Sequence, residues 1–292
     1  MSASEKGEHV MITTIAVLGA GQMGNGIAHV FGQCGYQVLL YDISDKQLTK
    51  ALTSIENNLQ RQAKKGSIPL ELVSQTMERI TTTVQMQELA RADFAVEAVT
   101  EIEALKLELF RQLDRIIKPD AYLASNTSSI PITRIAAATC RPEKVIGMHF
   151  MNPVPVMGLV EVIRGHATSD ETFQVTSELV EKLGKELAVS QDYPGFIVNR
   201  ILIPMINEAI FALYEGIASV EDIDKGMKLG TNQPMGPLTL ADFIGLDTVL
   251  AIANVLYDGF KDPKYRPCPL LVKMVNAGHL GKKAGKGFYS YP

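Results

Sequence analysis

The sequence predicts an α/β fold class, with a doubly wound sheet domain followed by an all-helical C-terminal domain. Two patterns indicate this arrangement. In the first half, short β-branched runs alternate with helical segments, as in a parallel sheet flanked by helices. After residue 191, nearly every segment has apolar residues at the 3-to-4 spacing of helices. We therefore expect one domain at 12–191 and a second at 192–292.

Six short apolar runs predict the strands of the sheet domain. Between the second and third runs, a charged stretch from Lys46 to about Arg79 has helical spacing and polar faces. The first run leads directly into glycines, so the domain begins with a strand, a tight turn and a helix. The predicted strands occupy 14–18, 37–41, 94–99, 121–125, 145–150 and 159–163, with a proline-rich bend between the last two.

Three helices are predicted in the second domain, at 196–215, 220–229 and 238–257. The first carries apolar residues around more than one face. A helix that is apolar all round is buried on all sides, and a domain of roughly 100 residues offers little interior. We therefore predict a homodimer that forms through the C-terminal domain, with an isologous and largely apolar interface. The alternative is that one chain buries all of this surface by itself.

The composition is that of a globular protein with a substantial core. Of the 292 residues, 46% are hydrophobic and 21% are charged, and the net charge is -4. This charge provides no electrostatic footprint for nucleic acid or an anionic membrane. No apolar run approaches the roughly 20 residues that span a bilayer. We expect neither nucleic acid nor membrane as a partner.

The first ten residues, Met1–Val10, are polar and lack the apolar centre of a signal peptide. We interpret them as a disordered extension or a cloning remnant, with Met11 as the natural start. The chain has three cysteines, widely spaced and without a CxxC pair. This pattern argues against a disulfide framework or a thiolate zinc site and favours a reducing cytoplasm. The five histidines never occur at ligand spacing, so we expect no metal.

A GxGxxG motif follows the first predicted strand and opens an apolar helix, and Asp42 closes the next strand 18 residues later. This context predicts a Rossmann-like dinucleotide site, with phosphates at the helix N-terminus. Asp42 is expected to accept hydrogen bonds from the ribose hydroxyls and to repel a 2′-phosphate, which favours NAD over NADP. A glycine-rich turn without ligand and FAD binding are the alternatives. The motif consists of Gly19, Ala20, Gly21, Gln22, Met23 and Gly24.

His149 is the best candidate for a general base. Hydride transfer from a secondary alcohol needs a base for the hydroxyl proton, and histidine titrates near neutrality. His149 ends a predicted strand on the sheet edge where doubly wound folds bind ligands. Glu161 lies 12 residues on, so a hairpin-like pairing would bring its carboxylate to the imidazole and stabilise the imidazolium. A structural histidine and a surface glutamate are the alternatives. The other histidines occupy less suitable positions: His9, His29, His166 and His279.

Two polar features are candidates for substrate contacts. The segment SNTSS at 125–129 follows a strand end and offers hydroxyls to a substrate oxygen, although an ST-turn or a helix cap is the simpler interpretation. Asn199 lies early in the first helix of the second domain, on an otherwise apolar face. Its polar partner is either a substrate or a neighbouring carbonyl.

Seven stretches together resemble the 3-hydroxyacyl-CoA dehydrogenase family, in its stand-alone bacterial 3-hydroxybutyryl-CoA dehydrogenase form. They cover the chain from about residue 12 to its end, in the family's order and spacing. The stretches are GAGQMGNGIA at 19–28, VEAVTE at 96–101, ASNTSS at 124–129, GMHFMNPVPVMGLVEVI at 147–163, PGFIVNR at 194–200, MKLG…PMGPLTLAD at 227–242 and GKKAGKGFY at 281–289.

The resemblance implies NAD as cofactor, an acyl-CoA thioester as substrate, a dimerising C-terminal domain and a site in the cleft between the domains. By motif position, it implies His149 as base, Glu161 as its orienting partner, and Ser128 and Asn199 as substrate-side donors. It also implies that Lys65 holds coenzyme A, together with Asn58 at a position where the family has serine. The implied cofactor contacts are the 19–24 loop, Asp42, Glu101, Lys106, Ser128, Asn152 and Lys283.

Two other functions remain open at this point. One is a non-catalytic NAD-binding protein on the same fold, of the lens-crystallin type. The other is a dehydrogenase of a free hydroxy acid or sugar acid, which would need a fixed cation for the carboxylate. No arginine stands out in the motifs for that role.

Overall fold

The computed structural model describes residues 11–292 and divides into two compact units. The first unit ends at Asp192 and the second comprises Tyr193–Pro292. The first unit is a sheet flanked by helices and the second is helical, so the predicted fold class is confirmed. The interpretation of Met1–Val10 as an extension concerns residues that lie outside those described.

Within the described residues, the strands of the first unit form one sheet in the order β3-β2-β1-β4-β5-β6-β7-β8. Every neighbouring pair is parallel except β6 and β7, which are antiparallel. The strand order reverses beside β1, and in such sheets ligands bind at the carboxyl ends of the strands around this point. The strands are β1 Thr14–Leu18, β2 Gln37–Tyr41, β3 Ile80–Thr83, β4 Phe94–Glu97, β5 Tyr122–Ser125, β6 Val145–Phe150, β7 Leu159–Arg164 and β8 Glu186–Gln191.

Helices cover both faces of this sheet, and its central strands are buried almost throughout. The helix after β1 packs on the sheet through Ile27, Ala28 and Phe31, none of which is exposed to solvent. The helices of the first unit are α1 Gln22–Gln33, α2 Asp45–Lys64, α3 Glu71–Glu78, α4 Glu103–Ile116, α5 Ile132–Ala136 and α6 Asp170–Lys182.

The six predicted strands all exist, but the sequence missed β3 and β8. These two strands form the edges of the sheet. An edge strand pairs on one side only and keeps polar, partly exposed residues, as the ITTT sequence of β3 and the ELAVSQ sequence of β8 do. Neither run has the continuous apolar character of a central strand in a parallel sheet. The third predicted strand, which is β4 in the structure, ends at Glu97, two residues earlier than predicted.

The second unit contains five α-helices within the described residues. The sequence predicted one helix at 238–257, which was wrong: the segment forms two helices that meet at an angle of 98°. Gly245 separates them with a φ of +100°, a conformation that glycine adopts without steric cost. The helices are α7 Val198–Tyr214, α8 Val220–Gly230, α9 Pro237–Ile244, α10 Leu246–Phe260 and α11 Pro269–Asn276.

No single helix in residues 11–292 is long and apolar enough to cross a membrane, although α9 and α10 meet the length and composition test when taken together.

Helix α7 has two kinds of apolar side chain. Ile203, Ile206 and Ile210 belong to the buried core of the second unit. Ile201, in contrast, is 66% exposed. The unit therefore buries a large share of the apolar surface that the sequence assigned to this helix, and leaves part of it at the surface.

Candidate functional site

The dinucleotide loop (residues 19–24) lies between β1 and α1, and each of its glycines is suited to its position for a different physical reason. A Cβ at Gly24 would lie 1.7 Å from the carbonyl oxygen of Gly19, so only glycine allows this close approach of helix and turn. Gly19 has a φ of +97°. A Cβ at Gly21 would meet no protein atom within 4 Å. The protein itself therefore leaves space beside Gly21, as expected where backbone approaches a pyrophosphate.

A cavity of about 570 Å³ adjoins this loop at the carboxyl ends of β1, β2 and β4. Asp42 lies in its wall, where one carboxylate oxygen accepts a hydrogen bond from the Ala20 N–H (2.8 Å) and the other from the Ser44 N–H (3.0 Å). The carboxylate is thus fixed beside the glycine loop. The remaining lining is partly apolar, which suits a flat heterocycle, and includes Ile43, Met86, Leu105 and Leu109.

His149 and Glu161 face each other across the antiparallel pair β6–β7. They are directly paired in the register, and His149 Nδ1 lies 2.7 Å from Glu161 Oε2. Glu161 is fully buried and His149 is 8% exposed, so the surface-glutamate interpretation is wrong. The carboxylate accepts from Nδ1–H, which leaves the lone pair of a neutral imidazole on Nε2. The pair has the geometry of a general base and its orienting carboxylate.

A buried ion-pair network surrounds Lys106. Its ammonium nitrogen lies 2.6 Å from Glu97, 3.0 Å from Glu101 and 3.2 Å from the carbonyl oxygen of Val99. Lys106 is 1% exposed and Glu97 is fully buried. A lysine has three N–H donors, so the protein itself occupies all of them. Cofactor contact by Lys106 stays a prediction, and it requires the exchange of one of these partners.

Glu101 connects this network to the segment that contains Ser128. One of its oxygens accepts hydrogen bonds from the Thr127 hydroxyl (2.6 Å) and from the backbone N–H groups of Ser128 (2.8 Å) and Ser129 (3.0 Å). Burial opposes the charge on this carboxylate, but the Lys106 ammonium and the hydroxyl groups of Thr127 and Ser129 outweigh burial and lower the pKa of Glu101. A charged Glu101 therefore holds the backbone on either side of Ser128.

The structure assigns the ST-turn of this segment to Thr127. Its hydroxyl oxygen accepts from the N–H groups of Ser129 (3.2 Å) and Ile130 (2.9 Å). The Ser128 hydroxyl has no such role and lies 3.4 Å from Glu101. The turn interpretation thus does not account for the Ser128 side chain.

Two side-chain amides, those of Asn126 and Asn152, connect the Ser128 segment, the strand of His149 and the dinucleotide loop. Asn126 accepts a hydrogen bond from the N–H of Phe150 (2.8 Å), the residue after His149. Asn152 accepts one from Gln22 of the dinucleotide loop (3.2 Å). The Ser128 segment, His149 and the dinucleotide loop are therefore joined in one hydrogen-bonded region.

The other predicted site residues belong to α2 and to the second unit. Asn58 is on α2, where it accepts from Arg61, and Lys65 is exposed at the C-terminal end of that helix. Asn199 and Lys283 belong to the second unit. Asn199 lies in the first turn of α7, and Lys283 forms an ion pair with Asp247 at 2.6 Å. The predicted roles of these four residues, and a site in the cleft between the domains, stay predictions.

Sequence reasoning missed Glu97 as a part of the site. The sequence does contain an indication of this role, since Glu97 is an isolated glutamate in an otherwise apolar strand. A glutamate carboxylate is costly to bury unless a cation accompanies it. No group of three or more His, Cys, Asp or Glu side chains among residues 11–292 is arranged to hold a metal ion.

Comparison with known proteins gives the same family over both units. A family model described as "3-hydroxyacyl-CoA dehydrogenase, NAD binding domain" matches residues 14–193, and one described as its C-terminal domain matches residues 195–291. The chain is 55% identical to a 3-hydroxybutyryl-CoA dehydrogenase of Bradyrhizobium diazoefficiens, over 96% of each chain. It is 41% identical to the mitochondrial hydroxyacyl-coenzyme A dehydrogenase of Homo sapiens, over 99% of this chain and 95% of that one.

Among solved structures, the chain is similar to the (S)-3-hydroxybutyryl-CoA dehydrogenase of Ralstonia eutropha. The TM-score is 0.95 at 48% identity, with 97% of this chain and 100% of that one covered. The predicted family resemblance and the predicted NAD-binding domain are confirmed. These findings favour the dehydrogenase interpretation over the crystallin-like and free-acid alternatives.

Proposed function

Since the chain belongs to the 3-hydroxyacyl-CoA dehydrogenase family and is an NAD-dependent enzyme of that family, we propose that it interconverts (S)-3-hydroxyacyl-CoA and 3-ketoacyl-CoA, with His149 as general acid and base. We further propose a short acyl chain, as in 3-hydroxybutyryl-CoA, because that substrate is in the names of the relatives at 48–55% identity. The single observation that carries the catalytic roles is the buried contact of 2.7 Å between His149 and Glu161.

The proposed mechanism follows from this contact. Glu161 accepts a hydrogen bond from Nδ1–H of His149 and so directs Nε2 of His149 towards the 3-hydroxyl of the substrate. Nε2 removes the hydroxyl proton, and the buried carboxylate stabilises the imidazolium that forms. NAD, when bound, supplies the acceptor for the hydride that leaves C3. In the reverse direction the imidazolium returns its proton to the alkoxide oxygen.

The cofactor is proposed to lie along the carboxyl edge of the sheet in the first unit. The 19–24 loop and the N-terminus of α1 would hold the pyrophosphate, and Asp42 would bind the adenosine ribose. Support comes from the open space at Gly21 and from the position of the Asp42 carboxylate in the cavity wall. The other proposed cofactor contacts are Glu101, Lys106, Ser128, Asn152 and Lys283.

Substrate binding is proposed to involve both units. Ser128 and Asn199 would donate hydrogen bonds to substrate oxygens. Asn58 and Lys65 would contact the coenzyme A portion of the substrate. The amide group of Asn58 can donate a hydrogen bond, and the exposed ammonium group of Lys65 can bind a phosphate. The fixed backbone around Ser128 supports its role, because Glu101 limits the freedom of the segment.

We also propose a homodimer that forms through the second unit, in the cytoplasm. Large apolar side chains at the surface of that unit support the dimer, because exposed apolar surface is a common feature of interaction sites. The side chains and their exposed fractions are Ile201 at 66%, Ile217 at 71%, Leu229 at 79% and Phe243 at 63%.

The catalytic pair is tested by two neutral amide substitutions, assayed with 3-ketoacyl-CoA esters of different chain length. We expect His149→Gln to lower kcat by a factor on the order of 10² to 10⁴ while NADH still binds, because general acid–base catalysis contributes about that much. Glu161→Gln is expected to be strongly impaired as well, since a neutral amide no longer stabilises the imidazolium. A His149→Gln enzyme that keeps half its activity contradicts the assignment, as does a Glu161→Gln enzyme with the kcat and pH profile of the wild type.

A further inference from the structure

The segment between β6 and β7, which we call the β6–β7 loop (residues 151–158), joins the strand of His149 to the strand of Glu161. A turn closes it, in which the N–H groups of Val156 and Met157 donate to the carbonyl oxygen of Pro153 at 2.9 and 3.0 Å. The conformation of this loop therefore bears on both members of the proposed catalytic pair.

Lys185 holds this loop from one side. It lies directly before β8 and is partly buried. Its ammonium group donates hydrogen bonds to the carbonyl oxygens of Val154 (2.7 Å) and Met157 (2.6 Å). Hydrogen bonds from a charged donor are roughly twice as strong as those between neutral groups. One side chain thus fixes two carbonyl groups, three residues apart, in the same turn.

Helix α1 contacts the loop from another side. A Cβ at Gly26 would lie 2.8 Å from the Cβ of Val154, so the helix and the loop approach as closely as a glycine permits. Val154 is almost completely buried. Gln22, at the start of the same helix, donates to Asn152 of the loop at 3.2 Å. The loop therefore contacts both Lys185 and the helix that opens the dinucleotide site.

We propose that Lys185 is a positioning residue for the dehydrogenase reaction, because its two hydrogen bonds hold the β6–β7 loop against α1. In this way Lys185 fixes the distance between His149 and the dinucleotide loop. The pairing of β6 with β7 orients Glu161 on His149, and the loop contacts add a second link between this pair and α1, beside the sheet itself. The inference rests on the proposed role of His149 as the general base.

The experiment compares Lys185→Met, Lys185→Arg and the control Lys182→Met, which removes an exposed ammonium three residues away. Each variant is assayed for kcat and for NADH affinity by fluorescence titration, below its melting temperature. We expect Lys185→Met to lower kcat about tenfold, which corresponds to about 1.4 kcal/mol, and to weaken NADH binding several-fold. Lys185→Arg keeps a charged donor and should retain more activity. Lys182→Met should match the wild type.

A second substitution, Gly26→Ala, is designed to displace the β6–β7 loop while Lys185 itself is unchanged. Gly26→Ala places a methyl group against Val154, and the control Gly226→Ala is in the interior of α8, where a Cβ meets nothing within 4 Å. Alanine is the better helix former at both positions, so a fall in kcat for Gly26→Ala alone arises from the loop contact. This pair also serves if Lys185→Met fails to fold.

The outcomes separate this inference from the proposed function. A wild-type enzyme that reduces the CoA ester, with Lys185→Met and Gly26→Ala equal to it in kcat and NADH affinity, overturns the positioning role only. A His149→Gln enzyme with undiminished activity overturns the proposed catalytic role and this inference with it. Impaired Lys185→Met and Gly26→Ala variants with unimpaired controls support the positioning role.

Discussion

Replacing Lys106 by methionine provides a direct test of the buried network beside the Ser128 segment. Lys106 contacts two carboxylates, and Glu97, at 2.6 Å, is fully buried. Methionine has a similar length but no charge and no donors. The substitution therefore leaves the Glu97 carboxylate in the interior without its cation. It also removes the ammonium that helps to lower the pKa of Glu101.

The expected loss of stability follows from this burial. Removing one partner of a buried ion pair costs about 3–5 kcal/mol. For a domain of this size, 1 kcal/mol shifts the melting temperature by about 2–4 °C, so we expect a decrease of about 6–20 °C. The measurement is thermal unfolding by circular dichroism, together with NADH titration. NADH affinity should fall as well, because Glu101 then holds the backbone at Ser128 less firmly.

A matched control distinguishes the buried pair from a surface pair. Lys225→Met breaks the contact with Asp222, in which both side chains are more than half exposed, and should leave the melting temperature nearly unchanged. The double variant Lys106→Met/Glu97→Gln removes both charges and should be more stable than Lys106→Met alone. A Lys106→Met protein as stable as the Lys225→Met control would refute the reasoning, since the network would then contribute nothing beyond a surface contact.

Two further predictions concern the cofactor and the assembly. We expect kcat/KM to be at least roughly 100-fold higher with NADH than with NADPH. The reason is that the Asp42 carboxylate and the 2′-phosphate of NADPH, at about 4 Å, repel by about 4 kcal/mol at an effective dielectric of about 20. Asp42→Ala should lower this ratio of kcat/KM values, and equal values for the wild type would contradict the role of Asp42. Light scattering at micromolar concentration should give about twice the chain mass of 31.9 kDa. A monomer mass with full activity would show that the exposed apolar side chains of the second unit do not form an interface.

The parts of the fold that the sequence predicted are those with a continuous or strongly periodic apolar pattern. The central strands are buried on both faces, so their apolar runs are unbroken. The edge strand Ile80–Thr83 has three threonines and pairs on one side only, which removes that signal. The break at Gly245 was not predicted, because an isolated glycine inside an apolar helical pattern is tolerated and does not by itself mark a helix end.

The candidate site was predictable where residue spacing determines contact. In an antiparallel pair joined by a short connection, the separation of His149 and Glu161 fixes which residues are opposite each other. Lys185 gave no such signal, since a lysine before an edge strand is usually solvated. Its two carbonyl partners depend on the turn geometry of the β6–β7 loop, which side-chain patterns do not encode.

The two fully buried glutamates of the site differ in the charge of their partners, and this difference bears on catalysis. Glu97 contacts Lys106, whose charge is present at every stage of the proposed reaction. Glu161 contacts His149, which becomes charged only when it accepts a proton. In the proposed mechanism, the ion pair between Glu161 and His149 therefore forms at the same step in which the substrate loses its hydroxyl proton. Since the carboxylate is already in place, no reorganisation is needed to stabilise the imidazolium. The Glu97–Lys106 pair serves to hold the neighbouring segment still, whereas the Glu161–His149 pair is strongest in the state that proton transfer produces.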